Sequence, residues 1–112
     1  GIFSVLEFTR KTGAKLIWAK NGKEAVEYLA RDKTVDLVLM DLQMPVMSGQ
    51  EAVKEIRKTI KTLPIIAQTA FAREEDRAEI IAIGCTSVLI KPIIRVDLLN
   101  EIGRLFDQNI KP

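Results

Sequence analysis

The stretch "VDLVLMDLQMPVMSG", residues 35–49, decides the fold of this chain. Its first part is a short apolar run over residues 35–40, bounded by polar residues, which predicts a buried strand because it is too short for a helix. The run ends on the carboxylate of Asp41, and a loop containing Met and Pro follows. An ionised Asp at the edge of a core costs free energy unless a charged or hydrogen-bonding group meets it. The stretch therefore predicts either a structural partner for Asp41 or a chemical role.

Strand and helix patterns alternate on both sides of this stretch. Further strands are predicted at residues 15–19, 63–69 and 87–90, from short apolar runs between turn residues. Helices are predicted at residues 2–11, from Asn21-Gly22 onward, at 48–61, 73–83 and 96–108, and Gly13 is expected to cap the first of them. Short apolar strands alternating with amphipathic helices indicate an α/β fold, with a parallel sheet covered by helices on both faces.

Composition and charge exclude several classes of function. At 112 residues the chain is expected to be one domain, and its 47% hydrophobic and 29% charged residues are ordinary for a globular protein. With 17 Lys and Arg against 15 Asp and Glu, the net charge of +2 is too small to predict direct nucleic-acid binding. No apolar run is long enough to span a membrane, so direct contact with a membrane is not predicted. The lone Cys85 suits a reducing, cytoplasmic setting. Because the chain has no His, imidazole-based catalysis is excluded.

Three reactive side chains follow successive strands of the predicted sheet. Asp41 ends the second strand, Thr69 the third, and Lys91 follows the fourth. The carboxyl ends of parallel strands meet at one edge, so a carboxylate, a hydroxyl and an ammonium are expected to converge there. Each residue alone is more often a turn, a cap or a β-favouring residue. Their joint occurrence favours a site in which Lys91 pairs with Asp41 or holds a phosphoryl oxygen.

The segments "DLVLMDLQMPVMSGQEAVKEIR", "PIIAQTA" and "GCTSVLIKPI" resemble the receiver domain of two-component response regulators and hybrid histidine kinases. The resemblance runs from about residue 2 to residue 108. It implies a flavodoxin-like, doubly wound parallel sheet with strand order 2-1-3-4-5. It also implies a signalling module, not a turnover enzyme, in which Asp41 takes a phosphoryl group from a histidine kinase or a histidine phosphotransfer domain.

The resemblance implies a role for several further residues. Thr69 matches the switch hydroxyl, Ala70 the small residue beside it, and Lys91 the phosphoryl-binding lysine. Pro92 matches a proline whose preceding peptide bond is usually cis. In this family Mg²⁺ is bound by the acceptor carboxylate and by the backbone carbonyl two residues later, here Asp41 and Gln43. Gln43 and Phe71 match positions that tune the lifetime of the phosphoryl group.

The sequence departs from the family pattern at two places. The first strand, which is central in the family and carries the acidic Mg²⁺ ligands, is missing, so residues 1–112 are expected to be an N-terminally incomplete receiver domain. Its loss is expected to leave unpaired backbone groups on two neighbouring strands, at about 1–3 kcal/mol each, unless residues precede Gly1 or another chain donates a strand. Homodimerisation by strand exchange is one such route. Glu7 is expected to be solvated, and Val88 replaces the usual aromatic switch residue.

Two other functions remain open. The first is a pseudo-receiver that acts through constitutive contacts without phosphorylation, which the missing acidic pair favours. The second is a haloacid dehalogenase-like phosphatase, which also uses an Asp nucleophile after a parallel strand. Such phosphatases need a second acid two residues after the nucleophile as general acid or base. Gln43 stands at that position, so the phosphatase ranks last.

Overall fold

The computed structural model of the chain describes residues 3–8, 14–19, 22–42, 48–70 and 73–110. Within these ranges it contains five strands and four helices. In chain order they are β1 (Phe3–Phe8), β2 (Ala14–Ala19), α1 (Gly22–Arg31), β3 (Leu37–Asp41), α2 (Gly49–Thr59), β4 (Ile65–Thr69), α3 (Glu74–Ala82), β5 (Ser87–Ile90) and α4 (Arg95–Ile110). None of the described helices is long and apolar enough to cross a membrane.

The strands form one sheet in the order β1-β2-β3-β4-β5. Strands β2 to β5 are parallel, and β1 runs antiparallel along β2. The predicted α/β fold with a parallel sheet is confirmed. Because the parallel strands share one direction, their carboxyl ends lie at one edge, where β3 ends on Asp41 and β4 on Thr69.

The core lies on both faces of the sheet, as predicted. Each connection between consecutive strands from β2 to β5 leads to the next strand on the same side. Because such crossovers are right-handed, the helices that form them lie on one face of the sheet. The buried cluster on that face joins residues of α1, α2 and α3 to the strands, among them Ala25, Leu29, Val53, Ile56 and Ile80 with Ile17, Val38 and Ala67. On the other face α4 contributes Ile102 and Leu105, which pack on Leu16, Leu37, Leu39 and Ile66.

The helix predicted at residues 2–11 is wrong over Phe3–Phe8, which is strand β1. The segment contains Phe3, Val5 and Phe8, residues that favour strands. It pairs with β2 along its whole length, from Phe3 opposite Ala19 to Phe8 opposite Ala14. Ladder hydrogen bonds to β2 therefore outweigh the helical spacing of the apolar residues. The rest of that predicted helix, and the predicted cap at Gly13, lie outside the described residues.

The expectation of unpaired backbone beside a missing central strand is also wrong. The strands that would flank it are β2 and β3, and they pair directly with each other, with Ile17 opposite Val38 and Trp18 opposite Leu39. Each strand thus satisfies the backbone groups of the other. As a result, the four parallel strands lie side by side in chain order, which is the predicted 2-1-3-4-5 order without its missing first strand.

The other predicted helices and strands are present, with ends within about two residues of prediction. Helix α2 begins with a capping box: the Ser48 hydroxyl accepts from the Glu51 N–H at 3.2 Å, and the Glu51 carboxylate accepts from the Ser48 N–H at 3.4 Å. Gly49 follows, and a Cβ there would lie 2.4 Å from the backbone oxygen of Asp41. Only a glycine lets this helix approach the end of β3 so closely.

A polar network at the opposite edge joins β2 to the end of α1. The carboxylate of Asp32 accepts hydrogen bonds from the Lys15 ammonium, from the Tyr28 hydroxyl at 2.9 Å, and from the Thr34 N–H at 2.8 Å and hydroxyl at 2.6 Å. The hydrogen bond from Lys15 and then those from Thr34 hold the pKa of Asp32 well below its ordinary value. A carboxylate with so many donors stabilises the fold only while it is ionised.

We expect Asp32→Asn to lower the stability of the protein at neutral pH. The pKa of Asp32 is lowered on folding from an ordinary value of 3.8, so its contribution is complete above that pH and is lost as the pH falls below it. Urea unfolding of both proteins between pH 7 and pH 2 should show a difference that narrows below about pH 4. Glu55→Gln is the control, because the Glu55–Lys58 pair is exposed and such pairs contribute little. An equal difference at every pH would contradict the ionic role of Asp32.

We expect Gly49→Ala to destabilise the protein by about 1–3 kcal/mol, because the new methyl group overlaps the Asp41 and Leu42 backbone. Alanine is otherwise the better helix former, so the sign of the effect tests the contact. Gly103→Ala in α4 is the matched control. Nothing lies within 4 Å of a Cβ at that position, so thermal unfolding should show an unchanged or higher midpoint. A Gly49→Ala protein as stable as the wild type would contradict this packing.

Candidate functional site

The centre of the site is an ion pair between Asp41 and Lys91. The Lys91 ammonium lies 2.9 Å from each of the two carboxylate oxygens of Asp41. Both side chains are partly buried, with 20% of Asp41 and 30% of Lys91 exposed. Asp41 can therefore end an apolar strand because a charged donor meets both of its oxygens. The remaining exposure leaves the carboxylate accessible to a small anion or to a partner protein.

The ion pair spans strand β4, because β3 and β5 are not neighbours in the sheet. Gln68 of β4 lies in register with Asp41, and Thr69 lies in register with Ile90 of β5. The backbone N–H of Lys91 donates to the carbonyl of Thr69 at 2.7 Å, and that of Leu42 donates to the carbonyl of Gln68 at 3.1 Å. These bonds join the ends of all three strands, so the acidic and basic groups are held on a rigid sheet edge.

Thr69 lies at the predicted edge, and only 1% of its surface is exposed. Side chains alternate along a strand, and residues in register on neighbouring strands share a face. The side chain of Thr69 therefore projects on the face opposite to that of Asp41 and Gln68. Thr69 and Asp41 are close in the sheet, but Thr69 must reach around the end of β4 to contact a group on Asp41.

The other predicted site residues fall into two groups. Ala70 is exposed directly after β4, and the peptide bond between Lys91 and Pro92 is cis, as the resemblance implies. Val88 is 7% exposed and packs in the core on the face of α1, α2 and α3. Gln43 and Phe71 lie outside the described residues, so their expected roles in metal binding and phosphoryl lifetime stay predictions.

Among the described residues, no further carboxylates gather around Asp41 to form a magnesium site. No three Asp, Glu or Cys side chains cluster in the part of the chain that the structure describes, and the residues outside it include no Asp or Glu. Glu7 lies opposite Lys15, at the amino end of β2, whereas Asp41 is at the carboxyl end of β3. Mg²⁺ requires near-octahedral oxygen ligands. One carboxylate that already pairs with Lys91 does not fit that requirement.

Cys85 is a second reactive side chain, but its surroundings keep it inert. Only 4% of its surface is exposed, and burial raises the pKa of its thiol to about 11. Since the thiolate is the nucleophile, a thiol with this pKa is unreactive at neutral pH. Cys85 therefore acts as a small core residue at the turn before β5.

Sequence reasoning attached no role to Gln68, the one residue at the centre of this edge that it missed. The sequence feature that could have indicated a role for Gln68 is its polar amide inside the apolar run "PIIAQTA". Gln68 is 2% exposed, and its carboxamide nitrogen has no hydrogen-bond partner among the described residues. Its placement opposite Asp41 depends on strand register, which the run itself does not show.

Comparison with known proteins supports the fold class described above. The sequence-family model described as the response regulator receiver domain matches residues 3–103 of this chain. The autoinducer 2 sensor kinase/phosphatase LuxQ of Vibrio vulnificus is 39% identical over 101 residues, 89% of this chain. The polar-differentiation response regulator DivK of Brucella anthropi is 40% identical over 84 residues, which cover 73% of this chain and 68% of DivK.

A solved structure shows the same similarity in three dimensions. It is the receiver domain of a sensor histidine kinase from Pseudomonas aeruginosa, with a magnesium ion coordinated in its active site cleft. It is 35% identical to this chain, with a TM-score of 0.68, and the alignment covers 77% of this chain and 71% of that one. The chain spans only 12% of the length of LuxQ. Because the family match extends over most of its length, this chain belongs to the response regulator receiver domain family of two-component signalling.

Proposed function

We propose that this domain is a phosphoacceptor of a two-component phosphorelay, with Asp41 as the acceptor. The observation that supports this most is the contact of Lys91 with both oxygens of the Asp41 carboxylate at an accessible sheet edge. An ammonium in that position can neutralise charge on a group added to either oxygen. A purely structural ion pair does not require the further convergence of Thr69 and Ala70 at the same edge.

The transfer itself is a substitution at phosphorus. One carboxylate oxygen of Asp41 attacks the phosphorus of a phosphohistidine, and the P–N bond breaks with its electron pair remaining on the imidazole, which takes a proton from water. The product carries close to two negative charges at neutral pH. Lys91 shifts from the carboxylate toward the phosphoryl oxygens, and the Thr69 hydroxyl donates to one of them. The movement of Thr69 alters the end of β4 and the start of α3, which is a surface change that a partner can detect.

The donor in this proposal is a histidine kinase or a histidine phosphotransfer domain. The chain has no His and cannot supply the donor group itself. Domains of this family signal and do not act as classical enzymes, so any catalysis here is limited to gain and loss of the phosphoryl group on Asp41. Location in the cytoplasm, homodimerisation and strand exchange remain predictions.

At this site, few groups of the chain could hold the magnesium ion of the family. Asp41 and the backbone carbonyl of Gln43 would be its ligands in this chain, and no further carboxylate lies beside Asp41 among the described residues. The charge compensation that the described side chains supply comes from Lys91. The rate of phosphorylation of Asp41 with and without Mg²⁺ therefore measures how much of the charge compensation Lys91 supplies by itself.

A pseudo-receiver is the second candidate, and one observation favours it. Lys91 already binds both oxygens of Asp41, and the described part of the chain places no additional carboxylates there for a divalent cation. In that case the ion pair would be a permanent structural link between β3 and β5. The surface of the domain would then bind its partners without a phosphoryl switch.

Phosphorylation of Asp41 distinguishes the two candidates. We expect intact mass spectrometry to show a phosphoryl-sized gain after incubation with acetyl phosphate or with a phosphorylated histidine phosphotransfer domain. Asp41→Asn should abolish the gain, whereas Asp36→Asn, which changes an exposed Asp at the other edge, should retain it. Lys91→Met should reduce the rate by at least about tenfold, because an uncompensated charge then develops at a partly buried site. No gain in the wild-type protein would support the pseudo-receiver.

We expect the chain to bind Mg²⁺ only weakly at this site, with no saturable heat in isothermal titration calorimetry at low millimolar Mg²⁺. The reason is that one carboxylate paired with a lysine offers too few oxygen ligands. Lys91→Met frees the carboxylate of Asp41 and should strengthen binding, and Lys91→Met combined with Asp41→Asn should remove that gain. Tight binding to the wild-type protein would show that the described carboxylates rearrange around the ion.

A further inference from the structure

The buried carboxamide of Gln68 is the feature of this site that the proposed chemistry leaves unexplained. Its side chain is 2% exposed, in a strand whose five residues are all buried. The Nε2 donor has no hydrogen-bond partner among the described residues. A buried donor without a partner costs free energy, and native proteins keep few of them. An apolar side chain of similar size would fill this position at lower cost.

Strand register places this carboxamide beside the ion pair. Gln68 lies opposite Asp41 on one side and Leu89 on the other. Register partners in a parallel sheet share a face, so the three side chains project on the same side. Lys91 follows Leu89 by two residues and reaches Asp41 across β4. Gln68 is therefore the β4 side chain over which the Asp41–Lys91 contact extends.

Phosphorylation changes what the Asp41 oxygens need. In the unmodified protein Lys91 donates to both of them. In an acyl phosphate one oxygen bridges to phosphorus and the other becomes a neutral carbonyl oxygen, which remains a hydrogen-bond acceptor. The charge moves to the phosphoryl oxygens, and the ammonium follows it because charged acceptors bind an ammonium more strongly. The carbonyl oxygen then lies in a partly buried place without its former donor.

We propose that Gln68 is a positioning residue for the phosphorylated state, in which Nε2 donates a hydrogen bond to the carbonyl oxygen of the Asp41 acyl phosphate. The proposal rests on the proposed phosphoacceptor function. A donor without a partner in the unmodified protein and an acceptor created by phosphorylation would satisfy each other across one register pair. The bond would hold the acyl group in a single orientation while Lys91 and Thr69 bind the phosphoryl oxygens.

The test compares the wild-type protein with Gln68→Met, which keeps the length of the side chain and removes the carboxamide. Leu89→Met is the matched control, since it changes an apolar register neighbour on the same face and conserves volume. In the unmodified state we expect Gln68→Met to unfold at a urea midpoint equal to or above that of the wild type, because the Nε2 donor has no partner among the described residues to lose. A loss larger than that of Leu89→Met would show that Gln68 already has a structural partner, and would overturn the proposal.

The decisive measurement is the side-chain amide resonance of Gln68 in ¹H–¹⁵N spectra, identified by its absence in Gln68→Met. With acetyl phosphate we expect one Nε2 proton to shift downfield and to exchange more slowly with water. Neither change should occur in Asp41→Asn. If mass spectrometry shows phosphorylated Asp41 and the resonance does not move, the role of Gln68 is wrong and the phosphoacceptor function stands. If Asp41 takes no phosphoryl group, the function fails and the role of Gln68 with it.

Discussion

The contact between Asp41 and Lys91 is the interaction on which the rest of this site depends. It joins the ends of two strands that are not neighbours, at 2.9 Å to each carboxylate oxygen. The contact is possible here because β3 and β5 are parallel and both end at the same edge of the sheet. The strand topology thus brings a negative and a positive side chain together. The ion pair compensates the charge at the end of an apolar strand, and the same ammonium is available to a phosphoryl group added there.

The direct pairing of β2 with β3 has two consequences for this domain. It satisfies the backbone of both strands, so that the parallel part of the sheet is continuous from β2 to β5. It also means that the strand before β3 in the sheet ends on Ala19, opposite Met40, with no carboxylate in β2 beside Asp41. The parallel part of the sheet is therefore continuous, while Asp41 is the acidic side chain that the described residues place at the site. The stability of the domain and its capacity to bind a divalent cation are separate properties here.

The surroundings of Asp41 restrict its position from two sides. Gly49 lets α2 approach the backbone of Asp41 more closely than any side chain would allow, and β4 holds Gln68 and Thr69 at the same edge on opposite faces. Thr69 projects on the face opposite to the Asp41 carboxylate, whereas Gln68 lies on the same face as that carboxylate. In the proposed phosphorylated state these two residues would face different oxygens of the acyl phosphate, Thr69 in a switching role and Gln68 in a positioning role.

The amino-acid sequence by itself determined the four parallel strands, the helices between them, and the meeting of Asp41 with Lys91. Local apolar runs, caps and turn residues specify those strands and helices, and parallel strands bring their carboxyl ends together whatever lies between. Only the tertiary structure decided that residues 3–8 form a strand, because the hydrogen bonds to β2 come from outside the segment. It also decided the pairing of β2 with β3 and the register of Gln68 with Asp41. Register and strand order depend on partners distant in sequence, so no local pattern contains them.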